Sequence, residues 1–321
     1  MPSSLPQELI VEIIRELIDD NPAAHFHLYD SFNNKKGWDH IRSLTLASRN
    51  FRGITLSLWF RQLYLERAAD IKDIDRLFPN LKSIWCRHLH CVQHDGHDLQ
   101  FWDLAGFKRL ESVRIAWLRT TITFDRNLEE VVPFRNIESS IKRLDVFKVP
   151  FPSPMVLKAL ILPFVDIVVL RLNLIRTWCG LCNICTKVRL PFPAPKKLLY
   201  EGGIGLPLHY VHFLNSFLHL EEITISVPDF GSGRPSPGLS DKVNDNFWMG
   251  ECDQCMQLMY EDEEFRKDWV AKKLGSIAHN VPFVKPPKLK KVEWNILESS
   301  SEEESLFYGS DSDESQYDES E

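Results

Sequence analysis

A short apolar pattern recurs along most of this chain and limits its fold more than any other feature. Each copy places an apolar residue at one position and again about three and five positions later, which is typical of short strands with one buried face. Good examples are Leu110/Val113/Ile115, Ile141/Leu144/Val146, Leu220/Ile223/Ile225 and Leu289/Val292/Trp294. The segments that carry the pattern are LFPNLKSIWCR (77–87), FKRLESVRIAW (107–117), ESSIKRLDVFK (138–148), FVDIVVLRLNL (164–174), APKKLLYEG (194–202), FLHLEEITISV (217–227) and PPKLKKVEWNI (286–296).

The distances between these copies indicate a structure built by repetition. Successive intervals are 29, 31, 27, 30 and 22 residues, measured at Leu81, Leu110, Ile141, Val168, Leu198 and Leu220. Helix-like stretches at 155–162 and 209–217 occupy two of the gaps, and strands that alternate with helices predict a parallel sheet. The triplet resembles the L-x-x-L-x-L half of a leucine-rich repeat, which implies a curved solenoid of irregular repeats. The alternative is a generic α/β domain whose strands happen to be evenly spaced.

The first sixty residues have a helical periodicity instead. A first helix is indicated by apolar positions that recur at the spacing of one helical face, and it is expected to end near Asp19–Asp20, before Asn21-Pro22. A second apolar segment follows at 41–47, and a third helical stretch is expected to run as far as Leu63. The apolar positions of the first helix are Leu5, Leu9, Ile10, Ile13, Ile14 and Leu17.

Taken together, these three segments resemble an F-box. The matching pattern is Leu5-Pro6-x-Glu8-Leu9-x3-Ile13-x3-Leu17, then Leu44-x-Leu46-Ala47-Ser48-Arg49-x-Phe51-Arg52, then Leu58-Trp59. The resemblance implies that the helices bind the Skp adaptor of a cullin–RING ubiquitin ligase, with apolar side chains laid into a groove. It assigns adaptor binding to Leu5, Pro6, Leu9, Ile13, Leu17, Leu46, Ser48, Phe51 and Trp59.

Two features depart from the F-box pattern. Residues 21–40 form an insertion where the family has a short link, and Ala47 stands where the family usually has valine. The alternative interpretation is a helical cap whose apolar face joins the core of the body. An F-box followed by irregular leucine-rich repeats is similar to the large sets of such proteins in fungi.

The chain divides into three parts by pattern and charge. Residues 1–66 are expected to form the F-box-like helical domain, and residues 67–297 the leucine-rich-repeat-like α/β domain, interrupted by an insertion at 228–286. Residues 298–321 alternate serine with acids and are expected to be a disordered tail. The tail has ten acidic and no basic residues, so residues 1–297, with 38 basic and 35 acidic residues, have a formal charge of +3.

The cysteines suggest two further interpretations. Cys179, Cys182 and Cys185 form two overlapping CxxC spacings, and Cys252 and Cys255 form another, so the two groups could share a structural zinc ion if folding joins them. Buried thiols without a metal are the alternative. CxxC spacings and an odd cysteine count do not suggest a disulfide framework, and no signal peptide is evident, so a cytoplasmic or nuclear protein is expected.

These observations predict a non-catalytic adaptor. The sequence contains no Walker loop, dinucleotide fingerprint, nucleophile elbow or HExxH motif. We expect the substrate-recognition subunit of a Skp–cullin–F-box ubiquitin ligase, which binds the adaptor, and through it a cullin, by its N-terminal helices. The repeat region would hold a protein substrate, whereas membrane and nucleic-acid binding are not expected. The alternative is a zinc-stabilised interaction scaffold outside any ligase.

Overall fold

The computed structural model describes thirteen stretches of the chain. Their numbers are 6–18, 38–93, 99–117, 132–149, 152–178, 185–186, 196–202, 205–206, 210, 213–229, 261–268, 271 and 285–298. Helices and an eight-stranded, mostly parallel sheet make up these stretches, which confirms the mixed α/β class.

Three helices form the N-terminal part: α1 (Gln7–Ile18), α2 (Asp39–Ala47) and α3 (Arg49–Trp59). Ser48 separates the last two in extended conformation, and its hydroxyl accepts a hydrogen bond from the Phe51 backbone N–H at 3.2 Å. This cap satisfies one of the donors that the first turn of a helix leaves free. The three helices share a small core around Ile14, Ile18 and Ile41.

The large sheet is built from strands that follow one another along the chain. They are β1 (Gln62–Leu65), β2 (His88–Gln93), β4 (Ser112–Trp117), β6 (Arg143–Val149), β7 (Val169–Leu174), β10 (Lys197–Glu201), β11 (Glu222–Asp229) and β12 (Lys291–Glu298). Their order in the sheet is β1-β2-β4-β6-β7-β11-β12-β10, and every neighbouring pair is parallel except β10 and β12.

Shorter elements complete the fold. Helix α4 (Asp70–Leu77) and a π-helical turn (Leu81–Trp85) connect β1 to β2, and helix α5 (Pro154–Ile161) precedes β7. Two small pairings lie outside the large sheet: β3 (Trp102–Asp103) with β5 (Phe134–Arg135), and β8 (Thr177–Trp178) with β9 (Cys185–Thr186).

One hydrogen-bond arrangement repeats at the start of each parallel strand. The carbonyl of Arg61 accepts from the N–H groups of both Arg87 and His88, and the carbonyl of Arg87 accepts from those of Glu111 and Ser112. The same arrangement recurs at the carbonyls of Glu111, Lys142, Val168 and Glu221. Successive strands therefore begin in the same register, which is the geometric consequence of a repeated sequence pattern.

The core forms two rows of apolar residues across this register. One row joins the +3 positions: Leu63, Leu89, Val113, Leu144, Leu170, Ile223 and Val292. The other joins the +5 positions: Leu65, Cys91, Ile115, Val146, Leu172, Ile225 and Trp294. All of these side chains are at most 5% exposed, so one face of the sheet forms a continuous buried apolar core.

The structure corrects four details of the sequence interpretation. Residues 77–87 are not a strand, because 81–85 form the π-helical turn and the strand is β2, whose triplet starts at Cys86. The triplet of β7 starts at Ile167 rather than Val168. Within the segment 194–202, Lys197–Glu201 forms an antiparallel edge strand, β10, and is not a repeat in series with the others. Leu63 lies on β1, since the third helix ends at Trp59.

A longer pattern lies upstream of three strands. Before β4, β7 and β11, a buried phenylalanine stands three residues ahead of the triplet, and a buried aliphatic residue stands three residues further ahead. The pairs are Leu104 with Phe107, Ile161 with Phe164, and Leu214 with Phe217. In each pair the phenylalanine N–H donates to the carbonyl of its aliphatic partner, so the same turn precedes each of these three strands.

Candidate binding surfaces

Helix α1 exposes an apolar line to solvent. Leu9, Ile13 and Leu17 stand four residues apart on one side of the helix and are 50%, 50% and 45% exposed. The neighbouring line, Ile14 and Ile18, is buried against α2 and α3. One side of α1 therefore holds the helical unit together, and the adjacent side remains available for an interaction.

Other residues of the predicted adaptor site lie near the ends of the helices. Pro6, directly before α1, is exposed, and Leu46, in the last turn of α2, is 73% exposed. Leu5 lies outside the described residues. Thus six of the nine predicted positions, namely Pro6, Leu9, Ile13, Leu17, Leu46 and Ser48, are exposed.

Three of the predicted positions, Ser48, Phe51 and Trp59, have roles within the fold. Ser48 caps α3, and Phe51 packs on the small helical core. Trp59 contacts both the helical core and the core of the sheet, and its ring meets that of Trp38 edge to face with centroids 5.8 Å apart. These residues position the helices and fix them on the sheet.

The second surface is the face of the sheet opposite the apolar rows. Along each strand the side chains alternate, so the residues between the core positions project from this other face. In register they form a polar row that reads Tyr64, His90, Arg114, Asp145, Arg171, Thr224 and Glu293. A second row, two residues earlier, reads Gln62, His88, Ser112, Arg143, Val169, Glu222 and Lys291.

Arginines dominate the middle of this polar face. Arg114 forms an ion pair with the buried Asp145 at 3.2 Å, and its guanidinium lies 5.1 Å from the centroid of the Phe147 ring. Arg171 stands in register on the other side of Asp145, and Arg143 precedes Asp145 by two residues on the same strand face. Burial lowers the pKa of Arg171, while the charge of Asp145 raises it.

Two histidines lie beside the arginines. His88 Nδ1 is 2.7 Å from the Ser112 hydroxyl, and the ring of His90 contacts Tyr64 edge to face at 4.4 Å. Burial lowers the pKa of His88, and the positive charge of Arg61 lowers it further. Both rings therefore lie on the polar face of the sheet, where they contact side chains of the neighbouring strands β1 and β4.

The far end of the polar face has a different charge. Glu293 forms ion pairs with Lys197 at 2.9 Å and Lys291 at 2.8 Å. Burial alone would raise the pKa of Glu293, but hydrogen bonds from the two lysines lower it. Acidic and basic groups are balanced here, in contrast to the arginine-rich middle.

The predicted zinc site falls outside the described part of the chain. Cys179, Cys182, Cys252 and Cys255 lie beyond the described residues, as does the side chain of Cys185. Within the described ranges, no group of three or more histidine, cysteine, aspartate or glutamate residues is placed to hold a metal ion. Cys86 and Cys91 are buried on the core side of the sheet, opposite His90.

Comparison with models of known families, with curated proteins and with solved structures finds no match to this chain. Within the part of the chain that the structure describes, no helix has the length and apolar character needed to cross a bilayer.

Proposed function

We propose that this protein is a substrate-recognition subunit of a Skp–cullin–F-box type ubiquitin ligase. In this proposal the N-terminal helices bind the Skp adaptor, the repeat region binds a protein substrate, and the chain itself performs no chemistry. Its contribution would be proximity, because a held substrate reacts in an effectively unimolecular step.

The observation that carries this proposal is the exposed line Leu9–Ile13–Leu17 on α1. An amphipathic helix normally packs its apolar side chains against the core, and here Ile14 and Ile18 already fill that position. A helix whose second apolar side is uncovered suits a partner that supplies a groove. The same three residues are apolar positions of the F-box-like pattern in the sequence.

The sheet supports the second half of the proposal. Strands that follow in sequence, pair in parallel and start in one register are what a leucine-rich-repeat-like solenoid requires. In this proposal the substrate is bound by exposed residues of the repeat region.

Affinity purification of the full chain followed by mass spectrometry tests the proposal. The Skp adaptor and a cullin should be recovered together with the wild-type chain. Both should be absent when the variant Leu9→Ser, Ile13→Ser, Leu17→Ser is purified, because this variant lacks the exposed apolar line. The three side chains are about half exposed, so their replacement by serine leaves the buried core of the helices intact.

A matched control comes from exposed apolar residues elsewhere in the chain. Leu77, Val165 and Leu218 are 67%, 66% and 60% exposed and lie outside the three N-terminal helices. Their replacement by serine should leave adaptor recovery unchanged. Recovery of the adaptor with the α1 variant, or none with the wild-type chain, would refute the proposal.

A further inference from the structure

The helices of the N-terminal unit differ in charge. Helix α1 contains three glutamates and one arginine, which give it a formal charge of −2. Helices α2 and α3 together contain three arginines and one aspartate, a formal charge of +2 with a neutral His40. Positive charge is therefore concentrated in one part of this unit, although residues 1–297 as a whole have a formal charge of only +3.

The three arginines lie close to the exposed Leu46. Arg42 and Leu46 are four residues apart on α2, so they stand one turn apart on the same side of that helix. Arg49 begins α3 only three residues after Leu46, which limits the distance between their Cα atoms to about 10 Å. Arg52 follows Arg49 by about one helical turn. We call Arg42, Leu46, Arg49 and Arg52 the basic patch.

The basic patch is open to solvent. Its three arginines are exposed, and Leu46 is 73% exposed. The buried residues of α2, Ile41 and Thr45, lie on another side of that helix. Five neighbouring residues are also exposed, namely Ser43, Ala47, Ser48, Asn50 and Gly53. A partner can therefore reach the whole patch without any change in the fold.

Little negative charge lies near these arginines. Within the described part of the chain, no carboxylate forms an ion pair with Arg42, Arg49 or Arg52. Asp39 is the single carboxylate of α2 and α3, so it can balance one of the three positive charges at most. Arg49 and Arg52 also stand near the N-terminus of α3, where the helix dipole disfavours positive charge. Arrangements that cost stability are expected at functional sites, and a negatively charged partner would offset this cost.

We infer that the basic patch binds an acidic segment of a partner protein that also has an apolar side chain for Leu46. Guanidinium groups suit carboxylates, because their donors form a fixed planar fork. The exposed leucine favours a polypeptide over a nucleic acid, since a phosphate backbone offers it no apolar group. The inference rests on the proposed function only for the identity of the partner, which is then the Skp adaptor, and peptide binding can be measured without the adaptor.

The test uses the purified full chain and a fluorescein-labelled peptide with six glutamates around two central leucines, measured by fluorescence anisotropy at low salt. The wild-type chain should bind the peptide, and binding should weaken as salt is added. The variant Arg42→Gln, Arg49→Gln, Arg52→Gln should bind the peptide at least about tenfold more weakly. An unchanged or higher melting temperature of this variant would exclude unfolding as the cause of the loss.

A second triple variant separates the basic patch from general attraction. Lys72, Arg76 and Arg109 are exposed and lie outside the three N-terminal helices, so Lys72→Gln, Arg76→Gln, Arg109→Gln removes the same charge elsewhere. This variant should bind the peptide within about twofold of wild type. Equal losses in both triple variants, or no binding by the wild type, would overturn the inference.

Two further comparisons test the nature of the partner. Leu46→Ser should weaken binding of the leucine-containing peptide about fivefold and leave binding of a peptide of eight glutamates unchanged. No effect on either peptide would overturn the inferred contact with Leu46. A labelled single-stranded DNA of eight nucleotides should bind more weakly than the leucine-containing peptide. Tighter DNA binding that depends on the same arginines would overturn the assignment to a protein.

The acidic tail is the competing occupant. In a full chain with six tail carboxylates neutralised, peptide affinity should equal that of wild type. A gain of about tenfold or more would mean that the tail occupies the basic patch, and would overturn the assignment to a partner. The replacements are Glu302→Gln, Glu303→Gln, Glu304→Gln, Asp311→Asn, Asp313→Asn and Glu314→Gln.

Titration of the same wild-type chain with the Skp adaptor distinguishes this inference from the proposed function. Adaptor binding without peptide binding would overturn the inference alone. Peptide binding that is lost in the Arg42→Gln, Arg49→Gln, Arg52→Gln variant, without adaptor binding by the wild type, would overturn the proposed function alone.

Discussion

Arg114 and Asp145 are paired across neighbouring parallel strands, with 3.2 Å between Arg114 Nη2 and Asp145 Oδ2. The Asp145 side chain is only 8% exposed, and among the described residues none donates to its other oxygen, Oδ1. Arg114 also covers the Phe147 ring, so one guanidinium neutralises a buried charge and shields an aromatic side chain. This pair fixes the centre of the polar face.

Removal of the charge at Asp145 should be costly for that reason. Asp145→Asn leaves Arg114 without its carboxylate and should lower the free energy of unfolding by about 2 kcal/mol, as measured by urea denaturation. The control is Glu111→Gln, which breaks the more exposed pair with Arg87 at 2.7 Å and should cost less than about 1 kcal/mol. Similar losses for both variants would contradict a special role for Asp145.

Gly205 should tolerate no side chain. Its backbone has φ of +86°, an added Cβ would collide with the Tyr200 ring, and its carbonyl accepts from Trp294 Nε1 at 2.9 Å. Gly205→Ala should therefore destabilise the protein by more than about 1 kcal/mol.

Gly53 is the matched control for this substitution. It lies within α3 with open space around the position of a Cβ, and Gly53→Ala should stabilise the protein by about 0.5–1 kcal/mol through helix propensity. Thermal melting of both variants measures the difference, and melting shifts of the same sign would contradict the opposite roles assigned to the two glycines.

Ser48 should act through its cap rather than through direct contact with a partner. Ser48→Ala removes the acceptor for the Phe51 N–H and should cost about 1 kcal/mol of stability. Ser48→Asp should restore most of this loss, because aspartate is an equally good cap. Normal adaptor binding by Ser48→Asp, together with lower stability of Ser48→Ala, would support the capping role. Weaker adaptor binding by Ser48→Ala without any loss of stability would contradict it.

The lowered pKa of His88 should make stability depend on pH. Burial and the charge of Arg61 favour the neutral ring in the folded state, whereas the unfolded ring titrates near its ordinary value of 6.5. The unfolded chain therefore binds the proton first, so stability is full above about pH 6.5 and falls as pH decreases below it. His88→Gln should make the pH dependence between 7 and 5 less steep in denaturation experiments, and an unchanged slope would contradict the assignment.

The positions of the strands could be predicted because the apolar triplet marks the residues that are buried on one face of the sheet. Leu110, Ile141, Leu220 and Leu289 were each correctly identified as the first residue of a triplet. The pattern failed at Leu81, where an apolar spacing of three and five also suits a helical turn, and Cys86 is the start of a triplet rather than its end. The buried phenylalanines Phe107, Phe164 and Phe217 would have located the register more reliably.

Other features could not be predicted because they depend on neighbours distant in sequence. The edge strand β10 reverses direction against β12, and nothing in residues 194–202 distinguishes this pairing from the parallel ones. The arginine cluster was also missed, since Arg114, Arg143 and Arg171 are separated by 28 or more residues. Only the register of β4, β6 and β7 brings them around Asp145.

The helical face was partly predictable. Periodicity identified the apolar residues of α1, but it treated them as a single face. The structure divides them into a buried line through Ile14 and Ile18 and an exposed line through Leu9, Ile13 and Leu17. This division allows one helix both to pack within the fold and to leave an apolar line exposed to solvent.

A titration of the purified full chain with purified Skp adaptor tests the central proposal most directly. Burial of the exposed halves of Leu9, Ile13 and Leu17 contributes about 1 kcal/mol each, so their joint replacement by serine should weaken binding about 100-fold. The control variant at Leu77, Val165 and Leu218 should bind like the wild-type chain. Absence of binding by the wild-type chain, or equal affinity of the wild type and the α1 variant, would contradict the proposal.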